Sequence, residues 1–337
     1  MFDPTKRKML ETLVTALSMA VVKPQAFLQG ESWQQLLVLE PDSAKIDETT
    51  IQGFESLINA CWQLSRGNEL ALAEKLLPEC MSKLVPLAQQ PSNHQQAAAH
   101  LAAQGYRLYS IFALHKNNLL ARELYCKQAV QYSLLAGNRD LLIAAFKGLA
   151  DTYYYSGQYP QALRTYLEAS QYIEGVSPLL QARVNMGLAV AYAHIDRRRE
   201  STNYLGLAVD AFPDHPETDP CFSYADFGFP QMVLWESIAR TQLGQAKRSL
   251  DTLNRIDQPG ILIPERIRVE LFNQRAKTAI VSGDLEQGAV YVEAGVSGAK
   301  TLGSQKCWNE AYENYNQMAV IWPHEKRVKA VGELFHV

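Results

Sequence analysis

Seven histidines, 35 carboxylates and five cysteines are the groups of this chain that could hold a metal, attack a bond or move a proton, and their spacing organises none of those reactions. His94, His100, His115, His194, His215, His324 and His336 are dispersed, and no H-E-x-x-H pair supplies two imidazoles on one helix face. The stretch from Asp210 to Asp219 gathers Asp214, His215 and Glu217, donors that suit a divalent cation, but carboxylates between prolines are turn formers first. Gly295 to Thr301 lacks the spacing of a phosphate-binding loop, and no G-x-S-x-G presents a nucleophile. Cys61, Cys80, Cys126, Cys221 and Cys307 are odd in number and never form C-x-x-C, so they read as small core residues of a reducing cytoplasm. The expectation is no catalytic residue, no cofactor and no metal. An enzyme would need titratable groups converging in one pocket, which this spacing does not announce.

Charge points the same way. Thirty-two basic residues stand against 35 acidic ones for a net charge of −3, so no direct nucleic-acid contact and no membrane attachment are expected. The run Arg197-Arg198-Arg199 sits where two helices should turn and reads as a solvated corner. Lys6-Arg7-Lys8 precedes an apolar face of Leu10, Leu13, Val14, Leu17 and Val21, interrupted by Glu11, Thr12, Thr15 and Ser18. That pattern is an amphipathic helix, too short and too polar for a membrane span.

The elements are helices throughout, and they repeat at a period of about 39 residues. The best copy runs over 143–174. Phe146, Leu149, Ala150 and Tyr153 make one stripe, Gly157 breaks it, and Tyr159, Ala162, Leu163, Tyr166 and Ala169 make a second. A further copy carries Leu188, Ala189, Tyr192, Leu205, Ala208 and Pro213. Upstream, 104–134 keeps Tyr106, Tyr109 and Ala129 but replaces the turn glycine by Lys116-Asn117-Asn118. Downstream, Leu243-Gly244-Gln245 and Gly283-Asp284-Leu285 mark two more helix–turn–helix units. Helices are expected at 48–65, 69–88, 95–115, 118–136, 139–156, 159–173, 178–195, 198–212, 231–243, 245–256, 263–282, 284–301, 305–321 and 324–334, with a short one at 33–39. Pro78 and Pro86 should kink or divide the helix at 69–88.

This pattern resembles the tetratricopeptide repeat (TPR) family, strongly over 143–174 and loosely toward 95 and 300. The resemblance implies an all-α, right-handed α-solenoid of stacked antiparallel helix pairs with capping helices, running as one unit over 1–337. Residues 1–45 would form the N-terminal cap, 46–92 a degenerate pair, 93–301 the repeats with an irregular loop at 213–230, and 302–337 the C-terminal cap. In that family the first helix of each pair lines a concave groove. The residues flanking the buried stripe are then Gln104, Arg107, Lys147, Asp151, Tyr154, Arg183, Met186, Val190, Asn273 and Lys277. Arg107, Lys147 and Arg183 would lay a positive strip along the groove, with Tyr154 and Met186 as adaptable contacts, suiting a peptide or protein of acidic or carboxylate character. The subfamily that clamps chaperone tails with lysine and asparagine is matched at Lys147. Asp151 and Gly187 stand where asparagines are needed, so that reading fails.

The wider pattern is also similar to the repeat half of bacterial regulators that join such repeats to a helix-turn-helix DNA-binding domain. The matching elements are Asp3 to Lys8 and Trp322-Pro323-His324-Glu325 before a basic helix. No DNA-binding unit is expected ahead of the repeats, so the resemblance implies either the sensory, partner-binding part alone or a stand-alone relative, cytoplasmic and non-enzymatic. A scaffold that self-associates, for example as a homodimer through Leu13 and Leu17, is the alternative, ahead of an unrecognised enzyme.

Overall fold

In the computed structural model, which describes residues 48–67 and 69–335, the chain is an all-α solenoid of antiparallel helix pairs, with no strand among the described residues. The expected helices at 1–45 lie outside the described residues. Fifteen α-helices follow: α1 (Glu48–Arg66), α2 (Leu70–Gln89), α3 (Gln95–His115), α4 (Leu119–Ala136), α5 (Arg139–Tyr155), α6 (Tyr159–Ser170), α7 (Pro178–His194) and α8 (Arg198–Ala211), then α9 (Phe222–Ala225), α10 (Phe229–Gln242), α11 (Ala246–Asn254), α12 (Glu265–Val281), α13 (Leu285–Leu302), α14 (Gln305–Ile321) and α15 (Lys326–Gly332).

Local chemistry sets these boundaries. The side chains of Asn118, Asn138, Ser177, Asp284 and Ser304 each accept a hydrogen bond from the backbone N–H three residues on, capping α4, α5, α7, α13 and α14. Five corners between paired helices are alike. Asn117, Gly157, Asp196, Gly244 and Gly283 take positive φ between 56° and 81°. The next N–H then reaches back across the turn, as Gln158 does to the Tyr153 carbonyl at 2.8 Å and Arg197 to the Tyr192 carbonyl at 3.0 Å. Asparagine and aspartate, whose short polar side chains tolerate this backbone, thus replace the glycine in two repeats.

One expectation is corrected. Pro78 and Pro86 do not divide their helix, which runs unbroken from Leu70 to Gln89 with both prolines inside. Buried Leu77, Cys80, Met81, Leu84 and Leu87 hold that helix against its neighbours, and this packing outweighs the missing N–H donors. At the other end Val328 and Val331 point inward as expected, while Lys326, Lys329 and Glu333 stay exposed.

The first helices of the pairs, α1, α3, α5, α7, α10 and α12, share one interior. The row curls until α14 meets α3, where His115 Nδ1 lies 2.7 Å from Ser304 Oγ. The stretch after α8 does not stay on the surface. It enters the interior: Phe227 is 1% exposed, Tyr224 accepts a hydrogen bond from Arg107 through its carbonyl, and Asp226 adopts φ 44° among arginines.

Candidate functional site

Two adjoining spaces open on the inner helices. The outer chamber has a volume of about 490 Å³. One wall is aromatic: Tyr154 and Tyr159 pack on the His194 ring with centroids 5.1 and 4.3 Å away, and Tyr154 also meets Trp235 at 5.4 Å. The facing wall, from α12 and α14, is rich in carboxamides: Asn273, Gln274, Asn309, Asn314 and Gln317. Asn273 donates to the Cys307 carbonyl at 2.9 Å, and its buried Oδ1 has no hydrogen-bond partner. Lys306 sits on the floor between Glu270 at 3.1 Å and Glu310 at 3.2 Å, above the Tyr155 ring. Burial resists the charge on Lys306, yet the two carboxylates overcome it and raise its pKa well above the ordinary range. Glu310 moves up through burial, despite the nearby Lys306 cation. His194 is lowered by burial and is partly restored by the Val190 carbonyl, 3.0 Å from Nδ1.

The inner cavity is smaller, about 70 Å³, and Leu114, Tyr155, Leu234 and Glu270 line both spaces. Its defining contact is an ion pair across the α5–α7 interface. Arg183 Nη2 donates to both oxygens of Asp151 at 2.8 Å, and the guanidinium lies 4.3 Å from the Trp235 ring and 5.3 Å from Phe227. Tyr166, reaching in from α6, donates its hydroxyl to Asp151. Tyr166 has room because residue 187 is glycine; a Cβ there would collide with its ring. Lys147 completes the group 3.7 Å from Asp151, and burial pulls its pKa down to about 8 despite that carboxylate. Asp226 comes from the inserted stretch and accepts from Arg266 at 2.9 Å, with Arg66 at 3.5 Å. Burial acts to raise Asp226, but Arg266 and Arg66 hold its carboxyl far below the usual range.

The residues anticipated from the sequence divide accordingly. Arg107, Lys147, Asp151 and Arg183 meet in the inner cavity, and Tyr154, Asn273 and Lys277 line the outer chamber, Lys277 with its side chain exposed. They do not form an open positive strip: Arg107 and Arg183 are 5% and 2% exposed. Gln104 serves as a holder, its Oε1 accepting from Arg107 Nη1 at 2.6 Å. Met186 and Val190 belong elsewhere. They are 0% and 1% exposed in the core, because α7 is packed on nearly every side and leaves no flank to a groove. Arg122, Asp226, Arg266, Glu270 and Lys306 escaped the sequence reading. Arg122 sits on a second helix, which the repeat pattern turns away from the groove, and Asp226 lies where no period exists.

No family model matches the chain, and no curated protein sequence does. Among solved structures, one described as "Structure of phAimR-Ligand" aligns over 90% of this chain and 76% of its own, with a TM-score of 0.52 and 13% identity. The fold resembles that of phAimR. At this identity the likeness concerns architecture alone: a curved stack of helices, which in phAimR was solved with a ligand. Among the described residues of this chain no group of three or more His, Cys, Asp or Glu side chains is placed to hold a metal ion, and no helix is long and apolar enough to cross a membrane.

Proposed function

We propose that this chain is a non-enzymatic, TPR-like regulatory module that takes a short peptide, or an extended segment of a protein, in its outer chamber. The observation that carries the reading is the carboxamide wall facing the tyrosines. A carboxamide offers both a donor and an acceptor, as a peptide bond does, so a row of them can satisfy an extended backbone whatever its side chains. Asn309 and Gln317, partly exposed on that wall, offer such groups to a ligand. Tyr154, Tyr159 and His194 supply flat apolar surface for a side chain. The 490 Å³ volume falls within the range of about 300–1,000 Å³ that small-ligand sites occupy.

Such a ligand would act by its position. The chamber touches the ends of α3, α5 and α7 on one side and α12 and α14 on the other. Filling it favours one curvature of the stack over others, and small rotations between pairs add along a solenoid. Regulation in the cytoplasm of a bacterial cell is the setting this reading implies.

The test is retention of peptides from a synthetic library of short sequences, read by mass spectrometry after gel filtration. Wild type should retain a defined subset that the Asn309→Leu/Gln317→Leu double variant, altered on two partly exposed wall positions, releases. Equal retention by both proteins, or none by wild type, removes the peptide reading.

A further inference from the structure

We propose that the inner cavity is a binding site for a single oxyanionic group, carboxylate or phosphate, held chiefly by Arg122 with Arg107 and Arg266 beside it. The site stands on the inner cavity alone and does not depend on a peptide occupying the outer chamber.

The argument begins with charge. Arg107, Arg122, Lys147, Arg183 and Arg266 line the cavity against the carboxylates of Asp151, Asp226 and Glu270. Those three carboxylates are committed. Asp151 binds Arg183 and Lys147, Asp226 binds Arg266 and also Arg66 from outside the cavity, and Glu270 binds Lys306 from the neighbouring chamber. Arg107 and Arg122 have no carboxylate partner among the described residues. An arginine cannot shed its proton to escape burial, so the excess positive charge persists at any physiological pH.

Geometry then singles out Arg122. It is 5% exposed, and its Nε and Nη1 are buried with no acceptor. Its guanidinium stacks over the Tyr155 ring, 4.9 Å from the centroid. Stacking engages the face of the guanidinium and leaves Nε and Nη1, on two different edges, free to donate to oxyanion oxygens. Arg266 adds a buried Nε without a partner. Arg107 is stacked on Trp62 at 4.9 Å and already donates to Gln104 and to the Tyr224 carbonyl, so its part is charge more than new hydrogen bonds.

Water alone does not resolve this arrangement. At about 10–15 Å³ per water the cavity has room for a handful, which could meet the free donors but not neutralise the charge. An oxyanion of four or five heavy atoms does both. It can come from free phosphate, or from the end of a molecule lying in the outer chamber, since the two spaces share Tyr155 and Glu270.

The experiment is thermal melting of the full chain at constant ionic strength in chloride, with inorganic phosphate, N-acetylglycine or N-acetylglycinamide titrated in. Phosphate, N-acetylglycine or both should raise the midpoint saturably, on the order of a few degrees, while the neutral amide should not. Phosphate alone acting marks a free-phosphate site, and N-acetylglycine alone acting marks a terminal carboxylate anchor. Arg122→Gln should weaken the half-saturating concentration at least tenfold, whereas the exposed Arg199→Gln leaves it unchanged. If Arg122→Gln does not fold, Arg107→Gln, which removes the other arginine without a carboxylate partner, provides the same comparison. No saturable response to either oxyanion, or an undiminished one in these cavity variants, overturns the proposal. Neither result bears on peptide retention in the outer chamber, so the two readings fail separately.

Discussion

His115 Nδ1 lies 2.7 Å from the hydroxyl of Ser304, joining the end of α3 to the residue that caps α14. Ser304 Oγ also accepts from the Cys307 N–H at 3.2 Å, so one hydroxyl both starts a helix and closes the curl of the solenoid. His115 is 4% exposed. Burial, with Arg266, Lys306 and Arg122 nearby, pushes its pKa well below the ordinary histidine value and keeps the ring neutral.

Stability therefore depends on pH through this residue. The folded state resists protonating His115, while the unfolded chain takes up a proton near its ordinary value of about 6.5. The contribution is fully present above about pH 6.5 and is lost as pH falls below it, toward the depressed folded pKa. Urea unfolding at pH 7.5 and 5.5 should show a loss larger in wild type than in His115→Gln by about 1.4 kcal/mol. Glutamine retains a hydrogen-bonding partner for Ser304 but does not titrate. Parallel pH dependence in the two proteins would show that His115 is not held neutral.

The Asp151–Arg183 pair gives a prediction of a different kind. Both side chains are buried, Arg183 at 2% and Asp151 at 4% exposure. Asp151→Asn leaves the guanidinium among Trp235, Phe227 and Tyr166 without its counter-charge, which should cost about 3–5 kcal/mol. Replacing both partners, as Asp151→Asn/Arg183→Met, should recover much of that loss, since the aromatic slot accepts an apolar chain. Denaturant melts of the single and double variants form a cycle. Additive losses would mean that the pair does not act as a unit.

Much of the architecture could be read from the chain because its signals are local and repeat. The stripe through Phe146, Leu149 and Tyr153 and the turn at Gly157 each need only a few neighbouring residues to be recognised. The chambers are another matter, because curvature makes them. Arg107, Lys147 and Arg183 were recognisable as inner-face residues, but nothing nearby in sequence shows that the stack curls until α14 reaches α3 and buries them. Met186 and Val190 failed for a related reason: 13 of the 17 residues of α7 are buried, so a stripe and its flanks cannot be told apart. Asp226 was beyond reach, since its stretch has no period and its place is set by Arg66 and Arg266, both distant in sequence.

The repeating corner can be tested on its own. Gly157 and Asp196 occupy equivalent turns with φ of 70° and 58°. An ideal Cβ at Gly157 would meet nothing within 4 Å, so any loss in Gly157→Ala comes from backbone conformation and not from a clash. The left-handed region should cost alanine about 1–2 kcal/mol. Asp196→Gly runs the other way. It removes a Cβ from the same backbone state but adds freedom to the unfolded chain, and these effects offset to within about 1 kcal/mol. Thermal melting should therefore fall for Gly157→Ala and stay near wild type for Asp196→Gly. A loss in Asp196→Gly as large as that in Gly157→Ala would mean that the aspartate side chain, and not the turn geometry, holds the α7–α8 corner.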